Sequence, residues 1–317
     1  MLNNLKLLYR IDAVKEAILA STSGLQVKSC WSDGKIKTVH ISAVFNGKEL
    51  NAWGADKNES IALSKSLMEL AERIHLKQSP VEWINLQTMS RKSHADMVAE
   101  FDSVSHFLAT SSGLAAHLSR NEAVSNSLNE IIERHTITKA LFENISPSLS
   151  TVEQYVWQGP LNRHVTLSRV KLDQYGYLYG SSANASLKSA LKRSSEELSA
   201  LRCWSENPAN LSSFMSSTFY EGPSSVQRYH LDNPPELEFL GRRGSGMVSV
   251  DIPESTFWIA DIPLLPAFFQ VESFCVVRSF CPMLQPLGFS KLLDGYINPL
   301  AIDLSKINPK VQYNVVA

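Results

Sequence analysis

The chain has 317 residues, 44% of them hydrophobic and 19% charged, which excludes intrinsic disorder and supplies a sizeable core. Its 30 Lys and Arg balance 31 Asp and Glu for a formal net charge of -1, with no long basic run, so nucleic acid is excluded as an electrostatic partner. The first ten residues, broken by Asn3, Asn4 and Lys6, lack a small-residue cleavage site, and the apolar stretch 262–277 is interrupted by Pro263, Pro266 and Glu272; neither a secretory signal nor a membrane span is expected.

In chain order, residues 37–53 alternate apolar and polar side chains around Asn46-Gly47, which predicts a two-stranded hairpin ending at Gly54. Residues 59–76 carry Ile61, Leu63, Leu67, Leu70, Ala71 and Ile74 at helical spacing. A second helix is predicted over 119–140, opened by Ser119 and Glu122 as a capping box. Residues 164–180 read as strand, with Tyr175, Tyr177 and Tyr179 alternating, and a third helix follows over 185–202. Clustered Ser, Pro and Gly make 207–246 a loop region, including Asn233-Pro234-Pro235 and the turn 241–246 with solvated Arg242 and Arg243. Strands are expected again over 247–252, 256–262 and 272–281. The alternation indicates a single α+β domain over 1–317, with α/β-like order of elements.

An internal repeat carries the chemistry. Residues 66–73 read S-L-M-E-L-A-E-R and residues 127–134 read S-L-N-E-I-I-E-R. Each follows a stretch of small residues read as a turn, Gly54-Ala55-Asp56 in one case and Ser111-Ser112-Gly113-Leu114-Ala115-Ala116 in the other. A weaker third copy follows Gly180-Ser181-Ser182-Ala183, with Glu196 and Glu197 in its helix. Residues three and four apart share a helix face, so Glu69, Glu72 and Arg73 are expected to project together, as are Glu130, Glu133 and Arg134. Carboxylates converging from separate helices call for a hard cation, and Mg2+ takes such oxygens together with substrate phosphates. The competing reading is a solvated helix face with Glu69–Arg73 and Glu130–Arg134 ion pairs. A di-iron site is disfavoured, because Glu72 and His75 form the only E-x-x-H.

At these residues the sequence resembles the YcaO family. The resemblance rests on E-x-x-E-R at Glu69 to Arg73, a G-L-A turn at 109–117 before the second E-x-x-E-R ending at Arg134, a third helix with Glu197 and Arg202, and 276–287 as strand and P-x-L-x-P-L turn. It implies a YcaO-type fold with mixed sheets and three glutamate-bearing helices around a nucleotide site. It also implies that Glu69, Glu72, Glu130, Glu133 and Glu197 hold Mg2+ around ATP phosphates while Arg73, Ser112, Arg202 and Arg278 contact nucleotide. The implied chemistry is attack of a nucleophile on a peptide backbone amide, phosphorylation of the resulting oxyanion by ATP and loss of phosphate. Azoline formation at Cys, Ser or Thr leads, with thioamide or amidine formation as alternatives, and no protein nucleophile is sought.

The sequence departs from the family pattern at Lys65, where the family has serine, at Ala200, where it has glutamine, and in the tail 310–317, which is not proline-rich. A non-catalytic scaffold subunit is therefore the alternative from another class. No peptide-binding domain is recognised at the N-terminus, so the expected partners are a precursor peptide, a separate recognition protein, a dehydrogenase or sulfur-handling protein, and a second copy of the chain as homodimer. His75, His106, His117 and His135 read as structural, His117 being the most suggestive. Cys30, Cys203, Cys275 and Cys281 form no C-x-x-C, with Cys275 and Cys281 read as buried inert thiols, and a reducing cytoplasm is the expected location.

Overall fold

Asn46 at φ 50° and Gly47 at φ 74° take the left-handed conformations that a tight two-residue turn demands, and they close the hairpin of β2 (Lys37–Phe45) and β3 (Lys48–Asp56). The computed structural model describes residues 2–32, 36–151, 153–172, 176–205, 238–285 and 298–306. Residues 207–237 of the loop region, Tyr175, Pro286-Leu287 and the tail 310–317 lie outside the described residues. The chain divides into two compact units, one of residues 1–128 and 258–280, the other of 129–257 and 281–317.

In the first unit, β1 (Ser23–Ser32) joins the hairpin to give an antiparallel sheet of order β1-β2-β3, in which β3 is an edge. The helices α1 (Leu2–Ser21) and α2 (Glu59–His75) share one apolar cluster with it: Val14 and Ile18, then Val39 and Ile41, then Leu67, Leu70 and Ile74. The expected α2 is present, capped by Asn58, whose side chain accepts from Ser60 N. A second antiparallel sheet runs β5-β4-β11-β12-β6, built from β4 (Glu82–Asn85), β5 (Arg91–Ser93), β6 (Leu114–His117), β11 (Trp258–Asp261) and β12 (Cys275–Phe280). The short helices α3 (His94–Glu100) and α4 (Ser103–Leu108) follow β5, α3 being capped by the Ser93 hydroxyl.

In the second unit the sheet order is β10-β9-β8-β7, all antiparallel, from β7 (Leu149–Ser150), β8 (Gln154–Gln158), β9 (His164–Leu172) and β10 (Gly176–Asn184), with α6 (Leu187–Ser205) after it. The helix α5 (Arg120–Phe142) begins in the first unit and ends in the second. The α+β class holds, and every pairing between these strands is antiparallel.

Two expectations are corrected here. Residues 247–252 are not a strand: Met247 makes an isolated bridge to Gln158, and Ser249 turns away at φ 50°. The stretch Gly54-Ala55-Asp56 is not a turn but the end of the edge strand β3, and of residues 111–116 only the first three turn, the rest entering the edge strand β6; the third stretch, 180–183, lies in the edge strand β10.

His135 is a hub of the second unit. It is fully buried; Nδ1 accepts from Gln285 N at 3.1 Å, so Nε2 carries the proton and donates to Ser249 Oγ at 3.0 Å. Burial, then the nearby Lys139 ammonium, pushes its pKa down to about 3. The unfolded chain takes up this proton near 6.5 and the folded chain only near 3, so acid favours unfolding. The contribution to stability is complete above pH 6.5 and falls by about 1.4 kcal/mol per pH unit below it. His75, also lowered by burial, acts in the same direction. Melting temperature should drop steadily from pH 7 to 5, and in His135→Gln it should start lower but change less with pH; equal slopes would refute the assignment.

Candidate active site

The helix α2 sits directly on the backbone of β3. A Cβ added at Gly54 would lie 2.0 Å from Ala62 O and 2.6 Å from Ser66 N. That closeness lets Glu69 cap an edge-strand donor, its Oε2 accepting from Trp53 N at 2.7 Å. Its Oε1 takes Nη2 and Nε of Arg73 at 2.7 and 3.2 Å, the expected ion pair of that turn. Three residues further along α2, Glu72 Oε1 accepts from Ala116 N on the edge strand β6 at 2.8 Å. The two acids of the first repeat thus each bind a backbone amide of a different strand.

The second unit repeats the arrangement. A Cβ at Gly180 would lie 2.4 Å from Ser194 O and from Leu198 N, so α6 lies on the edge strand β10 as α2 lies on β3. Glu197 Oε2 accepts from Ser181 N at 2.8 Å. The Ser181 hydroxyl turns to the other side and donates to Glu133 Oε1 of α5 at 2.7 Å. One serine therefore gathers carboxylates from two helices. Arg134 Nη1 stands 3.9 Å from Glu133 Oε1, both side chains being largely shielded, and Glu130 lies half-buried one turn earlier.

Three glutamates thus share one local device, an edge-strand N–H bound by a helix carboxylate: Glu69 on Trp53, Glu72 on Ala116 and Glu197 on Ser181. A carboxylate has about four lone-pair positions, so one such bond fixes its orientation and leaves capacity for a cation. The donors are all oxygen, which suits a hard ion such as Mg2+, and the glycine contacts hold the helices at the required distance. Among the described residues no three His, Cys, Asp or Glu gather at metal-binding spacing.

The remaining sequence-predicted residues fall differently. Ser112 is buried, its N–H directed to Thr110 Oγ1 at 3.2 Å, just before Gly113 turns at φ 72° into β6. Arg202 is exposed five residues after Glu197. Arg278 is wholly buried on β12 and donates from Nη1 to Phe107 O at 2.8 Å and from Nη2 to Thr110 O at 3.1 Å, around the end of α4. These bonds tether the 107–110 segment to β12. Lys65 lies one turn before Glu69 and donates to Ala55 O and Asp56 Oδ2 at 2.7 and 3.0 Å.

Cys281 is buried, its thiol pushed up to about 11 by burial, and burial raises Cys275 as well, in keeping with inert thiols. His75 is a core residue, with Nδ1 on Ala71 O and Nε2 accepting from Leu265 N. Trp53 and Ser181, unmarked in the sequence reading as site residues, are the positions that orient the carboxylates; their only signal was adjacency to Gly54 and Gly180.

A family model described as YcaO cyclodehydratase, ATP- and Mg2+-binding, matches residues 75–165, a span that includes β6, α5 and both Glu130 and Glu133. No curated protein matches the chain by sequence. Among solved structures, the YcaO of Methanopyrus kandleri bound with AMPPCP and Mg2+ is similar over 89% of this chain and 90% of that one, with a TM-score of 0.60 and 13% identity. The E. coli microcin synthetase McbBCD complex matches over 92% of this chain and 96% of its own, with a TM-score of 0.61 and 12% identity. A heterocyclase in complex with substrate and cofactor matches over 93% of this chain and 57% of its own, with a TM-score of 0.59 and 10% identity. At such identities these structures speak for a shared fold, that of the YcaO structures, and the family model marks residues 75–165, with the second glutamate motif, as similar to the YcaO family.

Proposed function

We propose that the chain is an ATP- and Mg2+-dependent enzyme that activates a backbone amide of a ribosomally made precursor peptide, closing Cys, Ser or Thr onto it to form an azoline. The observation that carries this reading is the pair of carboxylates, Glu133 and Glu197, held by the hydroxyl and the amide of Ser181. Two oriented acids on one serine form the start of a hard-cation site. The family description and the relatives bound with AMPPCP and Mg2+, or with substrate and cofactor, support the same assignment.

In this reading Glu133 and Glu197 of the second unit would hold Mg2+ with Glu130, and Glu69 and Glu72 are the corresponding acids of the first unit. Arg73 presents its planar fork to phosphate oxygens, steadied by Glu69, and Ser112 and Arg202 lie in the motifs that contact nucleotide in the family. Bound ATP supplies the γ-phosphoryl group that turns the oxyanion, formed when the nucleophile adds to the amide carbon, into a phosphate leaving group. The substrate side chain is the nucleophile, and the amide oxygen departs with the phosphate. A separate protein delivers the precursor peptide in the cytoplasm, and a dehydrogenase partner would oxidise the azoline.

Thioamide formation is the same activation with a sulfur donor as nucleophile. The scaffold reading has one observation in its favour: Lys65, in the position of the family serine, is committed to Ala55 O and Asp56. Titration of the purified chain with Mg·ATP by calorimetry separates the classes. Saturable binding that disappears with EDTA is expected; heats indistinguishable from dilution would establish the scaffold. Among the described residues no helix is long and apolar enough to cross a membrane.

A further inference from the structure

The pair Glu69 and Arg73 is held from one side by an aromatic column. The Trp53 ring stacks on His40 with centroids 4.6 Å apart and planes 8° from parallel. These residues are direct cross-strand neighbours on β2 and β3. His40 is fixed in turn by Asn51 Oδ1, 3.0 Å from its Nε2, and is 9% exposed, so the inner end of the column is anchored. At the other end the Arg73 guanidinium lies 5.9 Å from the Trp53 ring centroid, with its side chain 43% exposed. Trp53 therefore touches both members of the pair, Arg73 through its ring and Glu69 through its N–H.

An arginine on an open helix face ordinarily samples many rotamers, and a phosphate contact must then order it at the moment of binding. Stacking on an indole and two hydrogen bonds to one oxygen of Glu69 remove most of that freedom in advance. We infer that Trp53, backed by His40 and Asn51, is a positioning residue for nucleotide, presetting the Arg73 fork for the phosphate oxygens of Mg·ATP. This rests on the nucleotide-binding reading above and adds residues that lie outside the three glutamate motifs.

The test is calorimetric titration of the full chain with Mg·ATP in the absence of peptide, with melting temperatures recorded alongside. Trp53→Leu keeps the N–H to Glu69 but removes the ring, and should raise the dissociation constant about tenfold. Trp53→Phe, which retains a ring face, should stay within about threefold of wild type. Both should melt within a few degrees of wild type, a split that a merely structural role would not produce. Should Trp53→Leu not fold, His40→Gln takes its place, with a rise of about threefold to fivefold expected from losing the backing ring. An unchanged constant in the folded variant, or equal losses in Trp53→Leu and Trp53→Phe, would overturn the assignment while leaving nucleotide binding intact. A wild-type chain that binds no Mg·ATP would overturn both readings.

Discussion

Glu133→Gln is expected to lower ATP turnover by roughly a hundredfold or more while leaving the melting temperature nearly unchanged. The asymmetry follows from what the substitution removes. A glutamine carbonyl still accepts from the Ser181 hydroxyl, as Glu133 Oε1 does at 2.7 Å, so the contact between α5 and β10 survives. The negative charge does not, and a carboxylate oriented toward a cation acts mainly through that charge. Phosphate release with the precursor peptide and its partner present measures the loss. The Mg2+ dependence of nucleotide binding gives a second readout: the metal concentration for half-saturation should rise in the variant. Turnover near the wild-type rate would remove Glu133 from the site.

Gly54→Ala should destabilise the first unit by about 3 kcal/mol or more, and Gly180→Ala the second by a similar amount. The obstacle in both cases is backbone, Ala62 O at 2.0 Å from the added carbon and Leu198 N and Ser194 O at 2.4 Å, and no side-chain rotation can relieve it. The helix must lift from its strand. Melting should fall by roughly 6 °C or more, on a scale of about 2 °C per kcal/mol for a chain of this size or smaller. Lifting also lengthens the bonds from Trp53 N to Glu69 and from Ser181 N to Glu197, so any folded fraction should bind Mg·ATP poorly. Gly241→Ala is the control, since nothing lies within 4 Å of an added carbon there. A stable Gly54→Ala with normal affinity would mean that α2 does not lie on β3 as described.

The secondary structure that the sequence disclosed was that with a strong period. The hairpin of 37–53 alternates around Asn-Gly, and α2, α5 and α6 carry apolar residues at helical spacing; all four are present. The first helix was missed although Ile11, Val14 and Ile18 are spaced for one, because its opening turns are punctuated by Asn3, Asn4 and Lys6. Runs of Gly, Ala and Ser read as turns because such residues do populate turns. The same smallness serves an edge strand that must lie against a helix, and local sequence does not separate the two.

The repeat drew attention to the glutamates, but the edge-strand amides they bind were not legible in it. Residues three apart differ by about 60° around a helix axis, enough for Glu69 and Glu72 to reach strands in two different sheets. The partners of Arg278 were equally illegible: it donates to backbone carbonyls at the end of α4, which only the packed structure brings near it.

The capping of edge strands by site carboxylates has a bearing on solubility. An open strand margin offers its amides to any foreign strand, and β3, β6 and β10 each have one outward amide already occupied by Glu69, Glu72 or Glu197. In the proposed reading the acids that serve the ligand also deny part of the margin to self-association. Alanine at these three positions would expose those amides, so losses of yield through aggregation would have to be told apart from losses of catalysis.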